Sequence, residues 1–279
     1  MFEKISIFTS QTKKGLLNMK KVLLLLSIVF IASNAVNAQN TRLNDRNALG
    51  WYNYFGTIKV SKKFGIHTEY QFRRSEIITH WQQSLLRFGV NYQVNPKLQL
   101  RLGYAWIETF PYGEIPINGM GKTFTEHRLF QMATITDKIS IIGISHRIML
   151  EQRFVGRYSN ANLKKEDEFP MLNRVRYMFR MQAPLRGKEI NDRIPYVAVY
   201  DEIFIGFGKN VNENIFDQNR IGVLLGLKFN SLFRMEAGYL NQIVQLGREV
   251  NNRNVFQKNN GIIISAFFNI DLTKKEKSS

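Results

Sequence analysis

From about residue 49 to residue 270, apolar and polar side chains alternate with a period of two. In 98–107, Leu98, Leu100, Leu102, Tyr104 and Trp106 take one parity, and Gln99, Arg101, Gly103 and Ala105 take the other. Around 64–73, Phe64, Ile66, Tyr70 and Phe72 oppose His67, Glu69, Gln71 and Arg73. In 172–182, Val175, Tyr177, Phe179 and Met181 oppose Arg174, Arg176, Arg180 and Gln182. A period of two places each set on one face of a β-strand. Eleven such segments are predicted: 49–60, 64–73, 83–94, 98–107, 124–136, 139–153, 172–182, 195–207, 219–229, 232–245 and 261–270. Asn95-Pro96-Lys97, Asp137-Lys138 and Asn230-Ser231 read as tight turns between them.

A soluble sandwich would also alternate, but its strands usually run about 5–6 residues. Segments of ten or more match a tilted bilayer crossing. Trp51, Tyr52, Tyr54, Phe88, Tyr92, Tyr104, Trp106, Phe179, Phe229, Tyr239, Phe267 and Phe268 lie in the strands, many near their ends, as interfacial girdles do. The expected fold is therefore all-β, a single antiparallel transmembrane β-barrel of about 12 strands (10–12). Short links follow strands one, three, five and nine. Longer ones follow two, four, six, eight and ten, with 109–123 and 155–171 the longest. Eleven strands leave a parity problem. Residues 39–48 solve it as a short twelfth strand, the favoured solution, or by threading back through the lumen; a mis-split strand is the third solution.

The N-terminus has a different grammar. Met19, Lys20 and Lys21 precede the apolar run Val22 to Ile31, and Ala32 to Ala38 follow with Val36 and Ala38 at −3 and −1 of a cleavage site. The run is too short for a transmembrane helix. Residues 1–38 are expected to be a removed signal peptide, with 1–18 an upstream extension before its natural start. Residues 39–270 would form the barrel and 271–279 a basic tail. The destination implied is the outer membrane of a diderm (Gram-negative-type) bacterium.

The formal net charge is +17, of which five Lys and one Glu fall within residues 1–38. Export argues against nucleic acid as the partner of that charge. Outer-membrane lipid, acidic lipopolysaccharide, small anionic solutes or another outer-membrane protein are the partners it suits. With no cysteine in the chain, disulfides, thiolate metal sites and cysteine nucleophiles are excluded.

Several strand sequences carry a resemblance. Trp51-Tyr-Asn-Tyr-Phe-Gly56, Glu69-Tyr-Gln-Phe-Arg73, Leu86-Arg-Phe-Gly-Val-Asn-Tyr92, Glu126-His-Arg-Leu-Phe-Gln131 and Asn173-Arg-Val-Arg-Tyr177 resemble the family catalogued as domain of unknown function 2490. The resemblance spans roughly 47–270 and implies an outer-membrane-type barrel, with no activity or catalytic residue to carry over. The terminal strand departs from the usual outer-membrane ending, because it runs past Phe268 into a polar tail.

Candidate chemistry sits on the inward parity. A basic cluster of Arg73, Arg87, Arg101, Arg174, Arg176, Arg180, Arg220 and Arg234 is expected in the lumen, with Glu69 and Glu236 as acids and His67 and Lys228 on the same faces. Strands five and six are ambiguous, offering Glu126 and Arg128 or His127, and Arg147 and Glu151 or His146. Glu151 and either Asp201 or Glu202 are further acids for the arginines. Two readings follow. A paired network would fill and brace a narrow lumen, and a cationic excess would make a passage for small anionic or polar solutes. A barrel-embedded lipid or lipopolysaccharide hydrolase is the alternative, with candidates His67, His127, His146, Ser84, Ser145 and Ser265. Ser145 and His146 are adjacent and point to opposite faces. Four histidines without ligand spacing predict no metal site, and no cofactor is expected. The Gly206-Phe-Gly208 and Gly222 to Gly226 segments read as strand, not phosphate loops. Lys164 to Glu168 reads as a solvated loop.

Overall fold

The computed structural model describes residues 42–211 and 214–273. The segment read as a signal peptide and most of the basic tail lie outside them. The described residues form eleven strands: β1 (Arg42–Lys59), β2 (Phe64–Ser75), β3 (His80–Asn95), β4 (Leu98–Thr109), β5 (Phe124–Ile139), β6 (Ile142–Val155), β7 (Met171–Pro184), β8 (Pro195–Phe207), β9 (Phe216–Lys228), β10 (Phe233–Val250) and β11 (Arg253–Asp271). Each pairs with its sequence neighbours, and the sheet closes into a barrel by pairing β1 with β11. Closure leaves no exposed strand edge.

The strand count of eleven is close to the expected twelve, and the parity problem resolves in a way that was not foreseen. An odd number of strands in up-and-down order makes the first and last run the same way. β1 and β11 therefore pair in parallel, from Arg42 opposite Asn254 to Lys59 opposite Asp271, while every other neighbouring pair is antiparallel. Residues 42–48 do not make a twelfth strand; they extend β1. At the seam, Asn47 Nδ2 donates to Asn259 Oδ1 at 3.0 Å and Asn53 Nδ2 to Ser265 Oγ at 3.1 Å. Gly261 faces the Leu49 backbone so closely that a Cβ would strike the Leu49 carbonyl oxygen. Glycine is needed there for contact, not for conformation.

Turn chemistry explains the links. Asn95 Oδ1 accepts from the amides of Lys97 and Leu98, both at 2.9 Å, and Asn230 Oδ1 does the same for Leu232 and Phe233. These are the Asx turns that such sequences favour. The link read at Asp137-Lys138 falls three residues later, at 140–141, where Ser140 takes φ of 56°. The long link expected before the last strand is instead a two-residue turn. Asn251 and Asn252 adopt φ of 52° and 55°, which suits a tight hairpin. β10 and β11 extend toward it because Leu246 and Val255 are buried and Gln257 is hydrogen bonded inside. The link after β2 is likewise short, residues 76–79.

One end of the barrel carries the links 76–79, 110–123, 156–170, 208–215 and 251–252; the other carries 60–63, 96–97, 140–141, 185–194 and 229–232. The two longest share the first end, called the loop end below. The interior divides in two. Leu49, Trp51, Tyr196, Ala198, Leu224, Leu240 and Ile263 pack into an apolar cluster along β8–β11 and β1, joined by Tyr112 and Ile117 from one end and Ile190 from the other. Tyr196 lies over Gly226 and Tyr200 over Gly222. The facing interior, from β2 to β7, is charged.

Candidate functional site: a charged lumen and the cavity at its loop end

Alternation places the odd residues of β7 on the outer face of the barrel and the even ones on the inner face, and the even ones include Arg174, Arg176 and Arg180. Their partners come from the neighbouring strands. Arg174 donates from Nε and Nη2 to Glu151 Oε2 at 2.8 and 2.6 Å, and from Nη1 to Asp217 Oδ2 at 2.5 Å. Arg176 donates to Glu151 Oε1 at 2.8 Å and to Glu202 Oε1 at 3.0 and 2.8 Å. Arg147 reaches the same Glu202 oxygen at 2.8 Å. Arg153 bridges Glu126, at 2.6 and 3.1 Å, and Asp217 at 3.2 Å, while Arg128 forks onto Glu126. One continuous network therefore runs Arg128–Glu126–Arg153–Asp217–Arg174–Glu151–Arg176–Glu202–Arg147. Glu151 is 0% exposed and Arg174 2%, so the charges are removed from water and depend on one another.

Two smaller groups flank it. Glu69 takes Arg87 Nη1 on both oxygens, at 2.7 and 2.8 Å, and lies 3.0 Å from His67 Nε2. Glu236 takes Arg180 at 2.6 and 3.2 Å and the Tyr196 hydroxyl at 2.7 Å, with Arg234 at 3.9 Å. Lys228 sits at the rim, 2.8 Å from Asp192.

Three of the arginines read as lumenal have no carboxylate partner among the described residues. Arg101 donates to Asn91 Oδ1 at 2.5 Å. Arg73 donates to Gln71, and to Gln83 at 2.6 Å. Arg220 donates to Gln218 at 3.1 and 2.9 Å. Arg73 and Arg220 also stand over the ring of Trp51, with guanidinium carbons 3.9 and 4.8 Å from its centroid.

The ambiguous strands are now oriented. Glu126, Arg128, Arg147 and Glu151 face inward. His127 and His146 face outward, each against a tyrosine: Tyr104 Oη lies 2.6 Å from His127 Nδ1, and Tyr177 Oη 2.8 Å from His146 Nδ1. Of the acids offered to β7, Glu151 and Glu202 take the role. Asp201 is exposed and bonds Asn219 instead. Of the serines, Ser84 pairs with the Tyr70 hydroxyl on the outer face, Ser265 with Asn53, and Ser145 stands opposite Arg180. None is hydrogen bonded to a histidine, so the residues considered for a hydrolase are not brought together. Gly206 lies within β8, whereas Gly208 follows it at φ of 81° and turns the chain. In the 164–168 stretch, Glu166 accepts the Thr125 amide and Asp167 accepts from the Ser159 amide and hydroxyl, so its acids tie the loop down.

Asp217 and Arg153 escaped the sequence reading. Asp217 and Gln218 are both buried, although adjacent, because the β8–β9 register shifts between Phe204 and Ile205. A bulge breaks the alternation on which parity arguments rest.

The link 110–123 folds into the loop end. Tyr112 donates its hydroxyl to Gln257 Oε1 at 2.7 Å, and burial pushes its phenol pKa up. Asp45 accepts the amides of Glu114 and Ile115 at 3.4 and 3.2 Å, and Arg248 Nη2 donates to the Pro116 carbonyl at 2.7 Å. Tyr158 of the next long link donates to the Thr123 carbonyl at 2.6 Å. Beneath these links lies a cavity of about 480 Å³. Its lining includes seven arginines, among them Arg73, Arg128, Arg153, Arg174 and Arg220, against two acids, Glu126 and Asp217.

A closed eleven-stranded β-barrel with a charged interior defines the structural class. The family model described as "Protein of unknown function (DUF2490)" matches residues 49–253, and the chain belongs to that family. No curated protein and no solved structure matches it.

Proposed function

We propose that this chain is a non-enzymatic outer-membrane β-barrel whose lumen is filled by its own side chains, serving as a structural or assembly component of that membrane. The observation that carries the reading is an inverted distribution of polarity. Charged side chains such as Glu151 and Arg174 are buried inside, while Leu102 and Leu225 on the outer face are 62% and 64% exposed. Tyr104, Trp106, Tyr177 and Tyr239 are exposed on that face too. Such a surface suits hydrocarbon rather than water. The apolar run at residues 22–31 supplies the export route. Lipid and lipopolysaccharide would surround the barrel, with the longer links outside and the C-terminus in the periplasm.

A folded barrel satisfies its backbone internally and resists detergent. Unboiled protein should therefore migrate differently from boiled protein on a gel, and identical migration with a β-poor circular dichroism spectrum would defeat the reading. The second reading is a narrow channel for small anions, favoured by the arginine excess around the loop-end cavity. Planar-bilayer recording separates the two: the filled lumen predicts no steady current, and the channel predicts anion-selective steps.

A further inference from the structure

We propose that the loop-end cavity is a binding site for an amphiphilic organic oxyanion, a carboxylate or phosphate on an apolar body, held between Arg73 and Arg220. The inference rests on the barrel reading above. Both guanidinium groups are buried, line the same cavity and stand over the same Trp51 ring. Neither has a carboxylate partner among the described residues, whereas Arg153 and Arg174, lining the same cavity, bridge two acids each. Amide oxygens and an indole face offset part of the cost of burying a cation but supply no negative charge.

The geometry around the pair is fixed. Gln82 Oε1 accepts the Trp51 indole N–H at 2.8 Å, which fixes the ring that both cations stand over. Gln218 Oε1 accepts from both Arg220 and Gln242, which holds the Arg220 fork. Guanidinium forks match carboxylate and phosphate oxygens. Toward the rim the lining gains apolar side chains, Phe124, Val155 and Leu172 at strand ends and Ile117 and Met120 from the folded link, beside Arg157 and Arg248. A cavity near 480 Å³ is within the usual range for small-molecule sites. The anionic group would meet the arginines and the apolar body would lie under the link.

The test uses full-length mature protein with Trp81 and Trp106 replaced by Phe, leaving Trp51 as the reporter. It is folded in non-ionic detergent, and its gel mobility is checked before and after boiling. Phenyl phosphate should change Trp51 emission saturably and bind at least about tenfold more tightly than inorganic phosphate. Arg73→Gln and Arg220→Gln should each weaken phenyl phosphate by about tenfold or more, the scale expected for one lost charged hydrogen bond. Arg101→Gln removes an arginine outside the cavity and should change nothing. If a Gln variant fails to fold, Arg220→Lys keeps the charge, loses the fork and should still weaken binding. A response to lipid A phosphates in mixed bilayers, with none to phenyl phosphate, would support the site and assign its source to lipid. No saturable response to either, or equal binding by the Arg73→Gln/Arg220→Gln variant, would overturn the site. Equal affinity for inorganic and phenyl phosphate would overturn the amphiphilic part. Loss of the gel shift in the parent protein would instead count against the barrel reading.

Discussion

Replacing Glu151 with Gln removes the acid at the centre of the network while leaving its shape. Glu151 holds Arg174 through two short bonds and Arg176 through a third, and lies 3.7 Å from Arg128. With the charge gone, Arg174 retains only Asp217, shared with Arg153, and Arg176 retains only Glu202, shared with Arg147. Breaking a buried pair from one side costs roughly 3–5 kcal/mol, because the partner charge stays buried and uncompensated. Arg176→Ala should cost less, about 2 kcal/mol, since Glu151 keeps Arg174 and Glu202 keeps Arg147. Removing both members of one pair, as in Glu151→Leu with Arg174→Met, should cost less than Glu151→Gln alone. In that variant each lost charge takes a partner with it, and Asp217 keeps Arg153. The assay is urea unfolding of protein folded into lipid vesicles, read as the heat-modifiable band fraction. A Glu151→Gln variant within about 1 kcal/mol of the parent, the range of an exposed ion pair, would refute the view that this network is dry and mutually dependent.

The two faces of β4 should respond in opposite ways. Leu100→Arg should destabilise the folded barrel in vesicles by roughly 2–4 kcal/mol, whereas Arg101→Leu, which gives up only its bond to Asn91, should cost much less. The reverse order would put the strand out of register by one residue. Gly261→Ala should weaken closure by about 1–3 kcal/mol, because its methyl group meets the Leu49 backbone at the parallel seam; an unchanged urea midpoint would count against that seam. Mass spectrometry of membrane-extracted protein should find Gln39 at the N-terminus, and an intact Met1 or Met19 would contradict export by the segment before it.

The faces of β2, β4 and β7 were legible in the sequence because nothing interrupts their alternation. So were the Asn95 and Asn230 turns, where one side chain supplies the local bonds. The parallel seam was not, since pairing between residues 212 positions apart, such as Asn47 with Asn259, leaves no local periodicity. The ends of β10 and β11 were hidden for a related reason. Gln257 and Asn259 look like loop residues, and they become interior ones only by bonding the Tyr112 link. Within the candidate site, the inward arginines could be named from parity, but their pairing could not. Which arginines find acids depends on the neighbour across the sheet and on a bulge at Asp217, so the distinction between Arg174, doubly paired, and Arg220, paired only with amides, required three dimensions.

The central claim, that the tyrosine- and leucine-rich face meets hydrocarbon and the arginine-rich face does not, is tested most directly by quenching with bromolipids. Single-Trp proteins retaining either Trp106, on the outer face, or Trp51, in the interior, would be folded into vesicles carrying brominated acyl chains. The account predicts strong quenching of Trp106 and little of Trp51. Quenching of Trp51 above Trp106, or quenching of both by aqueous iodide and neither by the lipid, would contradict it.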